Sequence, residues 1–437
     1  MRQDPAAYNL DPASGTPYEW AFSHVGLDRA LNLTSGDPQV LVGIVDSGWA
    51  QIPDEQSKVA ESWYYTTEGP DALDTGGHGT FVASIIAAPN DDGYGLAGYC
   101  GACRIVPFRV VNLNSFSVSA AIRKLVDEHV RVINLSLGGG PSFVLLDAIN
   151  YAISKNVLVV ASAGNDGASQ VSYPAAWLMG ENGALGWGLA VGASGRDDAR
   201  ASFSNWGTRL SLVAPGSGTS CSDGIWSALS PIASDFEDGG GCDTVVTDVT
   251  NGGKYAYAAG TSFSAPEVAG VAALVMAARP ELTSSQVADV IEKSATRPSG
   301  VWQPDVGWGV LNAAAALELA TGRSSADAVT LGAVQLIGSK FAGAAGSAWA
   351  RLTWADGVTV SAGTADCTVR IRGLALHALA TLNNGTATCG WTVPRGTVGA
   401  GSGTIVATDA EGNQTSVGFT FTVLAVPKPA KASKKKR

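Results

Sequence analysis

The chain has 437 residues, 46% hydrophobic and 15% charged, with a formal net charge of -10; that length suits two or three domains, and the apolar share excludes a disordered chain. Six of the last ten residues, KPAKASKKKR, are Lys or Arg, so the body is more acidic than the total, and without a basic patch interleaved with aromatics it argues against nucleic acid as a partner. No run reaches the roughly 20 apolar residues of a membrane helix, and MRQDPAAYNLDPASG lacks an apolar signal-peptide core, so an exported protein is expected here as a mature or trimmed form.

After an N-terminal extension (1–20), short apolar runs alternate with helix-length segments over 21–322. VLVGIVD (40–46) reads as a buried strand, and GTFVASIIAA (79–88) as a helix closed by Pro89. CRIVPFRVV (103–111), VRVINLSLG (130–138) and NVLVVASAG (156–164) are further buried strands, with helices expected over 117–129 and 142–155 between them. FSAPEVAGVAALVMAAR is an apolar helix that Pro280 terminates. Such alternation predicts a three-layer α/β fold with a mainly parallel central sheet. After a linker, GRSSAD (322–327), the texture changes to Thr, Gly, Ala and Val with period-two alternation, as in TIVATDAEGNQTSVGFTFTV, where EGN supplies a hairpin turn. That predicts a smaller all-β, sandwich-like domain over 325–425, similar in texture to bacterial immunoglobulin-like modules. Residues 426–437 form a basic tail, read as a solvated end or as an attachment to an anionic cell surface.

Six cysteines fall in three close pairs, Cys100/Cys103, Cys221/Cys242 and Cys367/Cys389. Pairing by neighbours is the simplest of the 15 connectivities, and an even count without a metal-ligand pattern favours an oxidising compartment. CGAC also admits a redox pair or half a zinc site, although neither the βαβ context nor a second CxxC accompanies it.

Hydrolysing an amide at neutral pH needs an activated nucleophile, a base, an orienter for the base and donors for the oxyanion. Ser262 opens the apolar helix, where free N–H groups and the dipole face developing negative charge; Ser264 would lie inside the first turn. His78, in GGHGTFVASII, is the histidine with a rigid mount behind it, and Asp46 stands at the carboxyl end of a buried strand, where open α/β sheets place their ligands. Asn165 ends another strand and its amide can donate beside the backbone N–H of Ser262. Each has an ordinary structural explanation alone: an N-cap, a surface histidine, a turn cap. Together they describe one crevice.

IVDSG, GHGTFVAS, INLSLGG, ASAGN, FSNWGTRLSLVAPG and GTSFSAPEVAG resemble the motif set of the subtilisin-like serine peptidases over roughly residues 20–320. The resemblance implies a triad of Asp46, His78 and Ser262, with Asn165 lining the oxyanion hole. It makes Ser136, Leu137 and Gly138 a strand edge that pairs with substrate backbone, and Gly164 and Ser172 walls of the pocket before the cut. Phe81 and Glu267 depart from the family pattern, standing where many members carry histidine. A segment from Ser217 to Ala259, enclosing Cys221/Cys242, Trp226 and the acidic run DFED, is expected as a stapled loop near the site.

The resemblance makes calcium the expected structural ion, and Asn90, Asp91 and Asp92 in PNDDGYG offer hard oxygen ligands; catalysis needs no cofactor. The reading is a secreted, monomeric serine endopeptidase acting on proteins or peptides, with a neutral to alkaline optimum. Family members are usually made with an N-terminal prodomain, and none is visible before Asp46. The alternative is a non-catalytic adhesion or binding protein on a peptidase scaffold. A lipase or esterase would show a GxSxG elbow, and Ser262 sits in GTSFS.

Overall fold

The computed structural model describes residues 18–52, 58–60, 63–65, 73–90, 95–184, 186–217, 224–233, 245–247, 253–297, 301–322, 330–338, 342–353, 363–383, 385–409 and 414–426. The chain divides into two compact units, with the division between Ser325 and Ala326.

The first unit begins with short helices α1 (Trp20–His24) and α2 (Leu27–Ala30) and is built on a seven-stranded sheet. Its strands are β1 (Leu41–Asp46), β2 (Trp63–Tyr65), β3 (Arg104–Val110), β4 (Val132–Leu135), β5 (Leu158–Ser162), β6 (Leu189–Ser194) and β7 (Leu212–Pro215). They run in the order β2-β3-β1-β4-β5-β6-β7, and every pairing is parallel. Helix α3 (His78–Ala87) shares one apolar layer with Val42 and Ile44 of β1, while α4 (Ser115–Asp127) and α5 (Phe143–Ser154) cover Val45 from the other side. Alternate residues of one strand thus feed opposite layers. This is the three-layer arrangement the sequence predicts.

A small antiparallel sheet of β8 (Ile225–Ala228), β9 (Val245–Thr247) and β10 (Lys254–Ala258) leads into α6 (Thr261–Ala278), followed by α7 (Ser284–Ser294) and α8 (Ala313–Thr321). By length and composition α6 could cross a membrane, with a mean hydropathy of 1.3, but 83% of it is buried inside the protein. It is a core helix, and its apolarity is the price of that position.

Three parallel neighbours position the site. β1, β4 and β5 lie side by side, and the residues at or just past their carboxyl ends, Asp46, Ser136 and Asn165, fall along one rim of the sheet.

The second unit comprises β11 (Thr330–Leu331), β12 (Gln335–Gly338), β13 (Ala345–Thr353), β14 (Gly363–Ile371), β15 (Leu374–Leu376), β16 (Ala378–Asn383), β17 (Thr386–Thr392), β18 (Gly399–Asp409) and β19 (Gln414–Val423). One antiparallel sheet runs β11-β13-β17-β16, with β12 also on β13; the other runs β15-β14-β18-β19. Their inward residues, among them Leu352, Ile371, Trp391, Ile405 and Phe419, share one apolar cluster. The Cys367–Cys389 bridge joins β14 to β17, and so ties the two sheets together. β18 and β19 form the hairpin expected from 404–423, while its EGN turn lies outside the described residues.

Cys100–Cys103 is also bridged. Cys221, Cys242, the DFED run, most of the expected extension, and the tail lie outside the described residues.

Candidate active site

Asp46 ends β1 with 5% of its surface exposed. Its Oδ1 accepts from Ser47 N at 2.7 Å and from His78 Nδ1 at 2.8 Å. His78 is the first residue of α3, one position inside the helix that sequence spacing placed at 79–88, and a quarter of its side chain is exposed. The ring therefore presents one nitrogen to a buried carboxylate and keeps the other toward the cleft. Burial works against protonating it, but the charge and hydrogen bond of Asp46, and then the charge of Asp74, outweigh that and raise its pKa.

Phe263, the residue after Ser262, lays its ring 5.4 Å from the imidazole, and Phe81 lies 4.6 Å behind Phe263. Phe81, one departure from the family pattern, thus backs the imidazole through two tilted ring contacts, at 42° and 54° between planes. The other, Glu267, is fully buried on α6 beside Tyr99 and Glu19.

Ser262 is the second residue of α6, whose N-cap is Gly260. Pro266 sits further into this helix than the first turn, and its missing N–H would otherwise serve the carbonyl of Ser262, four residues back. Ser136 Oγ donates to that carbonyl at 2.6 Å instead, and Ser136 Oγ itself accepts from Asn134 Nδ2 at 2.9 Å. Proline therefore frees an acceptor that fastens the Ser262 backbone to the end of β4. Ser262 Oγ donates in return to Ser136 O at 3.4 Å, a long bond. Ser264 Oγ is buried on the carbonyls of Ala214 and Pro215, at 3.0 and 2.9 Å, which removes it as a nucleophile.

Asn165 is oriented by a residue that sequence reasoning passed over. Its Oδ1 accepts from both Thr261 N (3.0 Å) and Thr261 Oγ1 (2.8 Å), and Thr261 Oγ1 accepts from Gly164 N at 3.2 Å. Those bonds fix the amide so that Nδ2 is the free donor. Gly260 keeps the approach open, since a Cβ there would stand 3.4 Å from Asn165 Nδ2.

The expected pocket walls also meet. Gly139, next to Gly138, pairs with Tyr173 through bonds of 2.8 and 3.2 Å, and Ser162 Oγ donates to Leu137 O at 3.4 Å. Ser172 Oγ accepts from Asn205 Nδ2 at 3.1 Å, and Asn205 Oδ1 accepts from Asp166 N and Ala168 N. Asn205, inside FSNWG, is thus the brace of the loop carrying Asn165. Gly164 has φ of 103°, and a Cβ there would meet Asn205 Nδ2 at 2.4 Å, so only glycine fits between them.

The remaining histidine near the N-terminus, His24, is held by Asp198 at 2.7 Å. Of the three residues named for calcium, Asp91 and Asp92 lie outside the described residues. Asn90 has its carboxamide against Gly101, whose carbonyl accepts from Lys58 Nζ. Among the described residues no group of three His, Cys, Asp or Glu is placed to hold a metal.

A family model described as the subtilase family matches residues 37–309. The chain belongs to the subtilase family. The thermophilic serine proteinase of Bacillus sp. (strain AK1) is 32% identical over 289 residues, which is 65% of this chain and 63% of that protein. Subtilisin Savinase of Lederbergia lenta is 33% identical over 282 residues, 63% of this chain and 91% of its own length. The cell wall-associated protease of Bacillus subtilis (strain 168) is 34% identical over 262 residues, 58% of this chain and 25% of that protein. The chain therefore spans less than two thirds of the AK1 proteinase and a quarter of the cell-wall protease. Among solved structures, a protease from Pseudoalteromonas arctica PAMC 21717 superposes with a TM-score of 0.59 at 26% identity, covering 71% of this chain and 98% of its own.

Proposed function

We propose that this subtilase is a serine endopeptidase that cleaves protein or peptide substrates through Asp46, His78 and Ser262 by way of an acyl-enzyme. The observation that carries this reading is the 2.8 Å bond from His78 Nδ1 to a buried Asp46, with the imidazole in tilted contact with Phe263, the residue that follows Ser262. Rotation about the Ser262 Cα–Cβ bond exchanges its long bond to Ser136 O for His78, the tightening expected once substrate fills the cleft.

Ser262 Oγ then attacks the scissile carbonyl and His78 takes its proton. Asp46 keeps Nδ1 protonated and stabilises the imidazolium. Asn165 Nδ2 and the Ser262 N–H receive the oxyanion, and His78 returns the proton to the leaving amine. The reverse edge formed by Ser136, Leu137 and Gly138 pairs with substrate backbone, with Gly164 and Ser172 closing the adjoining wall. His78 works as a base only when neutral. Because its pKa is raised above the ordinary value of about 6.5, activity is expected to climb through a limb above that pH and to be highest in neutral to alkaline solution.

Two bridged cysteine pairs support a site of action in an oxidising compartment, outside the cytoplasm. Residues 21–322 are proposed as the peptidase domain and 325–425 as an accessory domain.

A serine-directed fluorophosphonate tests the reading in one gel. The chain is expected to be labelled and Ser262→Ala to be blank; equal labelling of both would move the nucleophile to another serine, and labelling of neither would return the adhesion reading.

A further inference from the structure

α3 begins without a cap of its own. Gly77 occupies the N-cap and has no side chain to offer the N–H groups of the first turn. Asp74, three residues earlier and fully buried, takes that role. Its Oδ2 accepts from Thr80 N and Thr80 Oγ1, both at 2.7 Å. Its Oδ1 accepts from Gly77 N at 2.7 Å, Gly76 N at 3.2 Å and Ser47 Oγ at 2.8 Å.

The same carboxylate reaches the exit of β1. Ser47 Oγ, which donates to Asp74, accepts from Gly79 N at 2.9 Å, and Ser47 N donates to Asp46 Oδ1. Thr80 Oγ1, also bound to Asp74, accepts from Ala50 N at 3.1 Å. The Asp74 backbone is held as well, its N–H on Trp49 O at 3.2 Å and its carbonyl receiving Ser230 Oγ at 2.6 Å. One buried anion therefore clamps the loop after Asp46 to the residues on both sides of His78.

We propose that Asp74 is a positioning residue for His78: by clamping the loop after Asp46 to the start of α3 it sets the imidazole against Asp46, without touching substrate. The inference rests on the peptidase reading above. Among the described residues every donor on Asp74 is a neutral N–H or O–H, so no cation contacts its carboxylate. Among the described residues, the charges acting on the imidazole are Asp46 from β1 and Asp74 from the loop; Arg109 from β3 stands beside that loop, its Nη2 donating to Thr75 Oγ1 at 3.4 Å, and from α6 the facing group is the uncharged ring of Phe263. Two anions thus act on the imidazolium that forms during acylation, one by contact and one from behind.

Asp74→Asn removes the charge and keeps the shape. Its kcat and KM on a chromogenic peptide amide are to be measured across pH in the full chain, with active sites counted by fluorophosphonate titration. Per titrated site, kcat is expected to fall on the order of 10-fold with KM nearly unchanged, and the acid limb of kcat/KM to move down by about half a pH unit or more. An acid limb that stays in place, with lost activity explained by fewer titratable sites, overturns the proposal. Should Asp74→Asn yield no folded protein, Ser47→Ala keeps both carboxylates and removes the hydroxyl that links Asp74 to Gly79 N; lower kcat at constant KM supports the clamp, and parental kcat overturns it. Titrating the His78 imidazole by NMR in a Ser262→Ala background reads the shift without turnover, so a chain that lacks peptidase activity would sink the peptidase reading while the Asp74 effect was still decided.

Discussion

The peptidase unit buries carboxyl groups in two regions and treats them in opposite ways. At the mouth of the sheet, Asp46 and Asp74 gather N–H, O–H and imidazole donors, and both act as anions on His78. On the helices behind, Glu267 of α6 and Glu292 of α7 are 0% and 1% exposed, and among the described residues each carboxyl faces a hydroxyl, Tyr99 at Glu267 and Ser211 at Glu292, without a well-formed hydrogen bond. Burial raises the pKa of both; at Glu267 a weak tie to the Tyr99 hydroxyl opposes it and the charge of Glu19 adds to it, and Glu292 reaches about 8. Equal burial with unequal donors gives charge in one place and a neutral acid in the other. Donor count therefore separates carboxyls that can do electrostatic work at neutral pH from those that cannot.

The sharpest way to break that contrast is to discharge Asp46. Asp46→Asn keeps the outline but offers an amide to Nδ1, so the ring takes the wrong tautomer and kcat is expected to fall about 10⁴-fold. A loss of less than 10-fold in steady-state assays, with the fold intact by circular dichroism, would mean that Asp46 is not an orienter. Next in size is the oxyanion donor. Asn165→Ala should lower kcat by on the order of 10² to 10³ with little change in KM. A mainly raised KM would instead place Asn165 in ground-state binding.

How far these regions are legible in sequence follows from how their residues are connected. Strands such as VLVGIVD announce themselves because both faces are covered, leaving no polar alternation, and the proposed triad residues sit in motifs beside such apolar runs. Asp74, Thr261 and Asn205 do not stand out, because their roles come from hydrogen bonds that reach across the fold: Thr261 to Asn165, Asn205 to Ser172, Asp74 to Ser47. Proximity gave a hint that went unused, since Asp74 lies four residues before His78 and Thr261 directly before Ser262. The link between Pro266 and Ser136 is harder still, as it requires knowing that β4 ends beside α6. Glu267 was visible as a departure from the family pattern, but its raised pKa comes from burial, opposed by the Tyr99 hydroxyl alone and aided by the charge of Glu19, which no motif records.

The rear region supplies the smallest effect and the one with the opposite sign. Glu292 has an ordinary carboxyl pKa in the unfolded chain, near 4.5, and about 8 when folded, so the native state holds a proton that the unfolded state has released. Stability from this group is fully present below pH 4.5 and is lost as pH rises through 8, by about 2 to 5 kcal/mol in total. Glu267 pushes the same way, with Glu19 and Tyr99 facing it. Denaturant titrations in a Ser262→Ala background, which avoids self-digestion, should therefore show the unfolding free energy falling between about pH 5 and 8, and Glu292→Gln should flatten that fall while leaving stability at pH 5 nearly unchanged. An unaltered slope in Glu292→Gln would mean that this carboxyl finds a donor or water after all. The outcome also bounds the enzyme's range: His78 asks for a pH high enough to be neutral, whereas Glu292 and Glu267 ask for one low enough to keep their protons, so activity and folding pull against each other on the alkaline side.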